Sequence, residues 1–205
     1  MDEIIKQFNE NIERIRMLHS VYLSYRGQIT TLVDISDMLR SEIVLLVSAV
    51  DFYVHEVVRI GMLEVISGHR PETSSFMNYS ISLKAVREAL LDPESFDWLE
   101  REIMGKHSWR SFQQAEKITE ALRLITDVDF WGLTALAMNS ESQLLKKKLN
   151  LIVDRRNKIA HEADMDPSYP GSRWPIDDVM VKESIDFIGL LIENFHLNIS
   201  PCSNI

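Results

Sequence analysis

The strongest constraint on the fold is the stretch from Ser36 to Ser67. It is apolar at helical spacing and free of proline, and Gly68 and Pro71 follow it directly. A helix of roughly thirty residues is expected there, long enough to be the spine of the molecule. Ser36 is the expected N-cap. The most apolar part, Ile43 to Val58, is broken by Asp51, His55 and Glu56. It is too short and too charged to cross a bilayer and reads as a buried helix. His55, beside those two acids, reads as a structural histidine. The chain has only 7 glycines and 6 prolines among 205 residues, so strand-and-turn architectures are disfavoured.

Other helices follow from the same periodicity. Residues 2–25 place Ile4, Ile5, Phe8, Ile12, Ile15 and Met17 three and four apart, with Gly27 as the stop. Residues 69–80 read as a loop, and a short helix covers about 82–90. Asp92-Pro93 is expected to open a helix ending at Gly105. Further helices are expected over 113–125 and 130–137. Ser140 with Gln143 resembles a capping box, opening a helix that runs into Arg155–His161. Residues 166–175 read as a proline-containing loop. Asp177 caps a last helix, and a disordered tail is expected over 200–205. The expected fold is all-α: an irregular helical bundle with two long core helices, forming one domain over residues 1–199 with 2–25 as a possible added element.

Composition narrows the function. A formal net charge of −9 excludes a general nucleic-acid coat, which needs a broad basic surface, but leaves room for a local basic site. The single cysteine, Cys202, allows no intrachain disulfide and no cysteine-based zinc site. The first residues lack the basic start and apolar core of a signal peptide, so a reducing, cytoplasmic location is expected. No GxGxxG or GxxxxGK phosphate loop occurs, and no GxSxG elbow. His55-Glu56 is followed by Arg59 where the HExxH zinc motif has histidine.

What remains is a basic island. Between Lys146 and Glu162 stand six Lys or Arg residues against two acids. In an acidic chain this marks a candidate anion site, and guanidinium groups suit phosphate because they pair two oxygens in one plane. The bland reading is a solvated helical face, with Asp154–Lys158 and Lys158–Glu162 as supporting i,i+4 pairs. The acids of His161–Asp166 read as a solvated loop rather than as metal ligands. Trp109, Phe112, Phe130 and Trp131 can stack bases, but they sit in apolar periodic stretches and core packing is the better expectation.

Arg156 and His161, with four residues between them and the polar Asn157 directly after the arginine, resemble the Rx4-6H motif of the HEPN superfamily. The flanks Ser108–Ile118, Phe130-Trp131, Arg155–Asp164 and Trp174-Pro175-Ile176 together resemble the RiboL-PSP-HEPN group, and the likeness covers roughly residues 35–195. This resemblance implies a metal-independent endoribonuclease with no cofactor. It also implies a homodimer with a composite active site, and a toxin–antitoxin or phage-defence effector with an antitoxin or regulator as partner. Arg156 would stabilise the phosphate, His161 would transfer protons and Asn157 would orient the histidine or the substrate. Arg155 and Lys158 would contact substrate RNA. The chemistry suits the residues: histidine titrates near neutrality, arginine stabilises an anionic transition state, and RNA carries its own 2′-hydroxyl nucleophile.

On an ideal helix, Arg156 and His161 lie about 140° apart around the axis, whereas Asn157 and His161 share a face. Either the helix loosens before His161 or two chains assemble the cluster. Two other function classes stay open: a non-catalytic module that binds nucleotide, RNA or protein, and a purely structural helical dimer.

Overall fold

The computed structural model describes residues 1–28 and 33–200, and among them every regular element is helical. Cys202 and the rest of the tail expected from 200 onward lie outside the described residues, Ser200 excepted. The helices are α1 (Asp2–Arg26), α2 (Ser36–Ile66), α3 (Ser74–Met77), α4 (Leu83–Leu91) and α5 (Asp97–His107). They continue with α6 (Ala115–Leu122), α7 (Phe130–Ala137), α8 (Ser142–Glu162) and α9 (Asp178–Ile199). No helix among the described residues is long and apolar enough to cross a membrane.

The 31-residue α2 is the spine. It packs against α1, α8 and α9 along its length and against α5 and α6 near its C-terminal half. Residues Leu39 to Val65 bury a continuous stripe whose members are almost entirely shielded from solvent. Helix α1 lays Ile4, Phe8, Ile12 and Ile15 against α2 and α9, and these residues join the same apolar cluster as the rest of the core. Two polar contacts fix that packing. His19 Nδ1 pairs with the fully buried Glu42 carboxylate at 2.8 Å, and burial raises the Glu42 pKa. Tyr53, buried beside Phe8, hydrogen-bonds His196 Nδ1 of α9 at 3.0 Å.

Several helix starts differ from expectation, each for a local reason. Ser36 is the first residue of α2 rather than its cap, and its N–H donates to the Asp34 carboxylate at 2.8 Å. Asp92 closes α4 by donating its N–H to Glu88, so it is not available to open the next helix, and α5 begins at Asp97. Ser140 closes α7 through its N–H on the Ala135 carbonyl, after Asn139 turns left-handed, and α8 starts at Ser142 without a side-chain cap. Within the expected loop 69–80, Thr73 caps the single turn of α3. Asp129 and Asp177 cap α7 and α9, the latter as expected.

Gly61 marks the closest approach in the core. A Cβ placed there would fall 2.7 Å from Ile125 Cγ2, inside the contact limit. Alanine is the better helix former by about 1 kcal/mol, yet here the overlap outweighs propensity. Gly61→Ala should therefore lower stability by about 1–3 kcal/mol in urea denaturation, and shortening the neighbour in Gly61→Ala/Ile125→Val should recover part of the loss.

Candidate functional site

The basic segment occupies the C-terminal turns of α8. The core stripe of this helix, Leu145, Leu149, Ile152 and Val153, continues geometrically to Arg156. Arg156 is accordingly half-buried, and its Nη1 donates to the Asn157 side-chain amide oxygen Oδ1 at 3.0 Å. Asn157 and His161 sit one turn apart. His161 is exposed in the last turn and makes no side-chain hydrogen bond among the described residues. The helix stays α-helical from Ser142 through Glu162, so it does not loosen between Arg156 and His161.

What ends the helix is a buried ionic clamp. Ala163 and Asp164 both take left-handed backbone angles, φ 50° and 58°, and both N–H groups return to the Lys158 carbonyl. Two consecutive non-glycine residues in that region carry strain of order 1 kcal/mol each, so something must hold them. The Asp164 carboxylate, 1% exposed, accepts from Arg40 Nε of α2 at 2.6 Å and from Arg155 Nη2 at 2.8 Å. Both arginines also donate to the Trp174 carbonyl, at 3.0 and 3.1 Å, and Arg155 reaches the Pro175 carbonyl at 3.1 Å. The Asp164 carbonyl accepts from the Trp174 N–H at 2.9 Å, and Met165 pairs with Arg173. Arg173 in turn bridges to Asp34 and Asp37 at the start of α2. Burial pulls the Arg155 pKa down, and the Asp164 charge opposes that shift.

Arg155 therefore points into the protein, bound to Asp164 and two carbonyls, rather than standing open as a phosphate contact. Lys158 makes neither of the expected i,i+4 pairs; its ammonium lies 4.5 Å over the Trp174 ring. Arg156 and Asn157 are in contact, while Arg156 and His161 project to different sides of one helix. The acids after His161 are also not a solvated loop, since Asp164 and Asp166 are buried. Arg40 and Trp174 were missed as part of this assembly. The signal for Arg40 was available: an arginine next to Leu39 at the head of a long apolar run needs a buried partner. Among the described residues no three His, Cys, Asp or Glu side chains gather as a metal ion would require.

The family model for RiboL-PSP-HEPN matches residues 2–200. The chain belongs to the RiboL-PSP-HEPN family. The match takes in α1 as well as the motif region, and membership points to a nuclease or otherwise RNA-related role. No curated protein and no solved structure gives a significant match.

The aromatic residues divide. Phe112, Phe130 and Trp131 are core, each 3% exposed, as expected. Trp109 is not: it stands 74% exposed where the chain turns from α5 to α6. The expectation of core packing fails because the residues from Ser108 to Ser111 lie beyond the end of α5, outside any helical register.

Removing the carboxylate of the clamp leaves two guanidinium groups buried against each other. Asp164→Asn should cost about 3–5 kcal/mol in chemical denaturation, the usual cost of breaking one side of a buried ion pair. A change under 1 kcal/mol would mean that the two arginines rely on carbonyls alone.

Proposed function

We propose that this chain is a metal-independent endoribonuclease of the HEPN type. It works as a homodimer in the cytoplasm, as the effector of a toxin–antitoxin or phage-defence system. The observation that carries the dimer is the unbroken helix. With α8 regular through Glu162, Arg156 and His161 of one chain lie about 140° apart and cannot meet on one substrate phosphate. Two copies related by a two-fold axis bring an Arg156 of one chain beside a His161 of the other.

In this reading the ribose 2′-oxygen attacks the adjacent phosphorus and the bond to the 5′-oxygen breaks. The products are a cyclic phosphate and a 5′-hydroxyl. One His161 removes the 2′-proton and the His161 of the second copy protonates the departing 5′-oxygen. Arg156, presented by its bond to Asn157, stabilises the charge on the phosphorane-like transition state. Asn157, on the face of His161, orients the ring or the substrate. Lys158 contributes a phosphate contact beside Trp174. Arg155 positions these groups through Asp164 instead of touching RNA directly.

The outward face of α8 supports a contact between copies. Leu144 and Leu151, two turns apart on one stripe, are 55% and 59% exposed. One observation favours the other reading, a non-catalytic binding module: His161 has no side-chain partner to orient it among the described residues.

Purified protein incubated with mixed cellular RNA and EDTA should cleave it, and His161→Ala or Arg156→Ala should lower the rate by about 10²–10⁴-fold with the fold unchanged. Saturable RNA binding without turnover would favour the binding module, and equal cleavage by wild type and His161→Ala would place the chemistry elsewhere. A separate test addresses the composite site. Leu151→Asp should shift the protein to monomer in size-exclusion chromatography with light scattering and abolish cleavage; an active monomer would rule out a site shared between chains.

A further inference from the structure

The turn between α5 and α6 brings together groups that the cleavage motif does not use. Trp109 is the one exposed tryptophan among the described residues, and the Arg110 guanidinium lies 5.3 Å over its ring. Arg110 has no carboxylate partner among the described residues. Beside it opens a cavity of about 300 Å³, walled by Tyr79, Lys106, His107 and Arg110, with Glu120 also on its rim. Lys106 is held by Glu102 at 3.2 Å and lies 5.0 Å over the Tyr79 ring. His107 is 3% exposed, and its Nδ1 has no hydrogen-bond partner among the described residues. A buried polar atom without a partner is costly, so it marks a place where something outside the chain can bond.

The turn is also rigidly placed. Asp51 of α2 accepts from the Phe112 N–H at 2.6 Å and from the Gln113 amide at 3.1 Å, and His55 donates to the Arg110 carbonyl at 3.2 Å. The start of α6 is fastened to α8, where the Asn150 side chain accepts from the Ala115 N–H at 2.9 Å. Asn150, Asn157 and His161 are seven and four residues apart, so they fall within about 20–40° of one another on a single strip of α8. The turn is thus anchored on the strip that carries His161, about 16 Å further along the axis.

We propose that this turn is a second RNA contact, an exosite for single-stranded RNA in which a base stacks on Trp109 and the neighbouring phosphate is held by Arg110 and Lys106. Exposed aromatic rings beside cations are how proteins hold single strands without reading sequence, because every base has a stacking face. In a chain of net charge −9, such a local cationic and aromatic site restricts contact to a defined strand path rather than a diffuse surface. The exosite deepens the ribonuclease reading and rests on it for its biological substrate.

The test uses the full-length protein and a single-stranded oligoribonucleotide 2′-O-methylated at every position, which can bind but has no free nucleophile. Affinity is read by anisotropy of the labelled strand, and contact by quenching of tryptophan fluorescence. Wild type should bind with quenching. Trp109→Ala should weaken binding by roughly fivefold or more and abolish the quench, with Trp109→Phe retaining part of the affinity. Arg110→Ala should weaken binding and flatten its salt dependence. Undiminished binding by Trp109→Ala, or equal preference for duplex RNA, overturns the exosite. A changed oligomeric state in Trp109→Ala with binding intact overturns it too, and makes the turn an interface between copies. The two readings separate cleanly: Trp109-dependent binding without any cleavage of natural RNA sinks only the nuclease, whereas His161-dependent cleavage with Trp109-independent binding sinks only the exosite.

Discussion

Asp164 carries one carboxylate, and three parts of the molecule meet on it. Arg40 reaches it from α2, Arg155 from α8, and its own backbone begins the loop that returns through Trp174 to α9. The strained left-handed pair at Ala163 and Asp164 persists because this carboxylate is worth more in place than the backbone strain costs. The consequence for function is positional. The last turn of a helix normally frays, and here that turn carries His161. Pinning the second residue beyond the helix, Asp164, stops the fraying one turn from the histidine without using the histidine itself. His161 can therefore be exposed and still be held in place through the backbone.

The clamp and its neighbours also reduce the free positive charge of the basic segment. Arg155 is neutralised internally, Lys158 is drawn over an indole ring, and Arg173 is tied to Asp34 and Asp37. Of the cations in and around the segment, Arg156 alone is bonded only to its motif neighbour. What looked in the sequence like a stretch of positive charge is in space a set of separate cations, most of them held by a specific partner. For the function proposed above, such an arrangement would suit geometric recognition of one phosphate better than the diffuse attraction that broad basic surfaces give.

Helix periodicity carried most of the architecture, because burial in a bundle leaves a regular mark on the sequence. The long α2, α7, α9 and the cap at Asp177 all follow from it. The helix starts at 92 and 140 did not, since Asp92 and Ser140 had already been taken to close the preceding helices, and a sequence does not say which of two neighbouring ends a capping residue serves. The motif residues could be named from the segment 155–161, yet the role of Arg155 could not. Its partner Asp164 lies nine residues on, across a left-handed turn with no glycine to announce it, and its other neighbour Arg40 is far away in the chain. Trp109 was misjudged for a related reason. Apolar residues flank it on both sides, but the register breaks between α5 and α6, and periodicity says nothing where there is no helix.

The arrangement of α8 assigns different tasks to different angles around one axis. The core stripe runs out at Arg156, so that arginine is fixed by the packing of the bundle. Asn150, Asn157 and His161 share a second direction; Leu144 and Leu151 share a third, and at the C-terminal end of that same stripe Arg155 turns into the clamp. A single regular helix imposes these angles rigidly, so Arg156 and His161 cannot be brought together by a local rearrangement without unwinding the turn that Asp164 holds. Evolution of a site on such a helix has two routes: break the helix, or bring a second one. The buried clamp closes the first route, because loosening the last turn would expose a carboxylate and two guanidinium groups that are stabilised only in this geometry. The second costs no internal strain and requires only an apolar patch on the outward side of the same helix, where Leu144 and Leu151 stand.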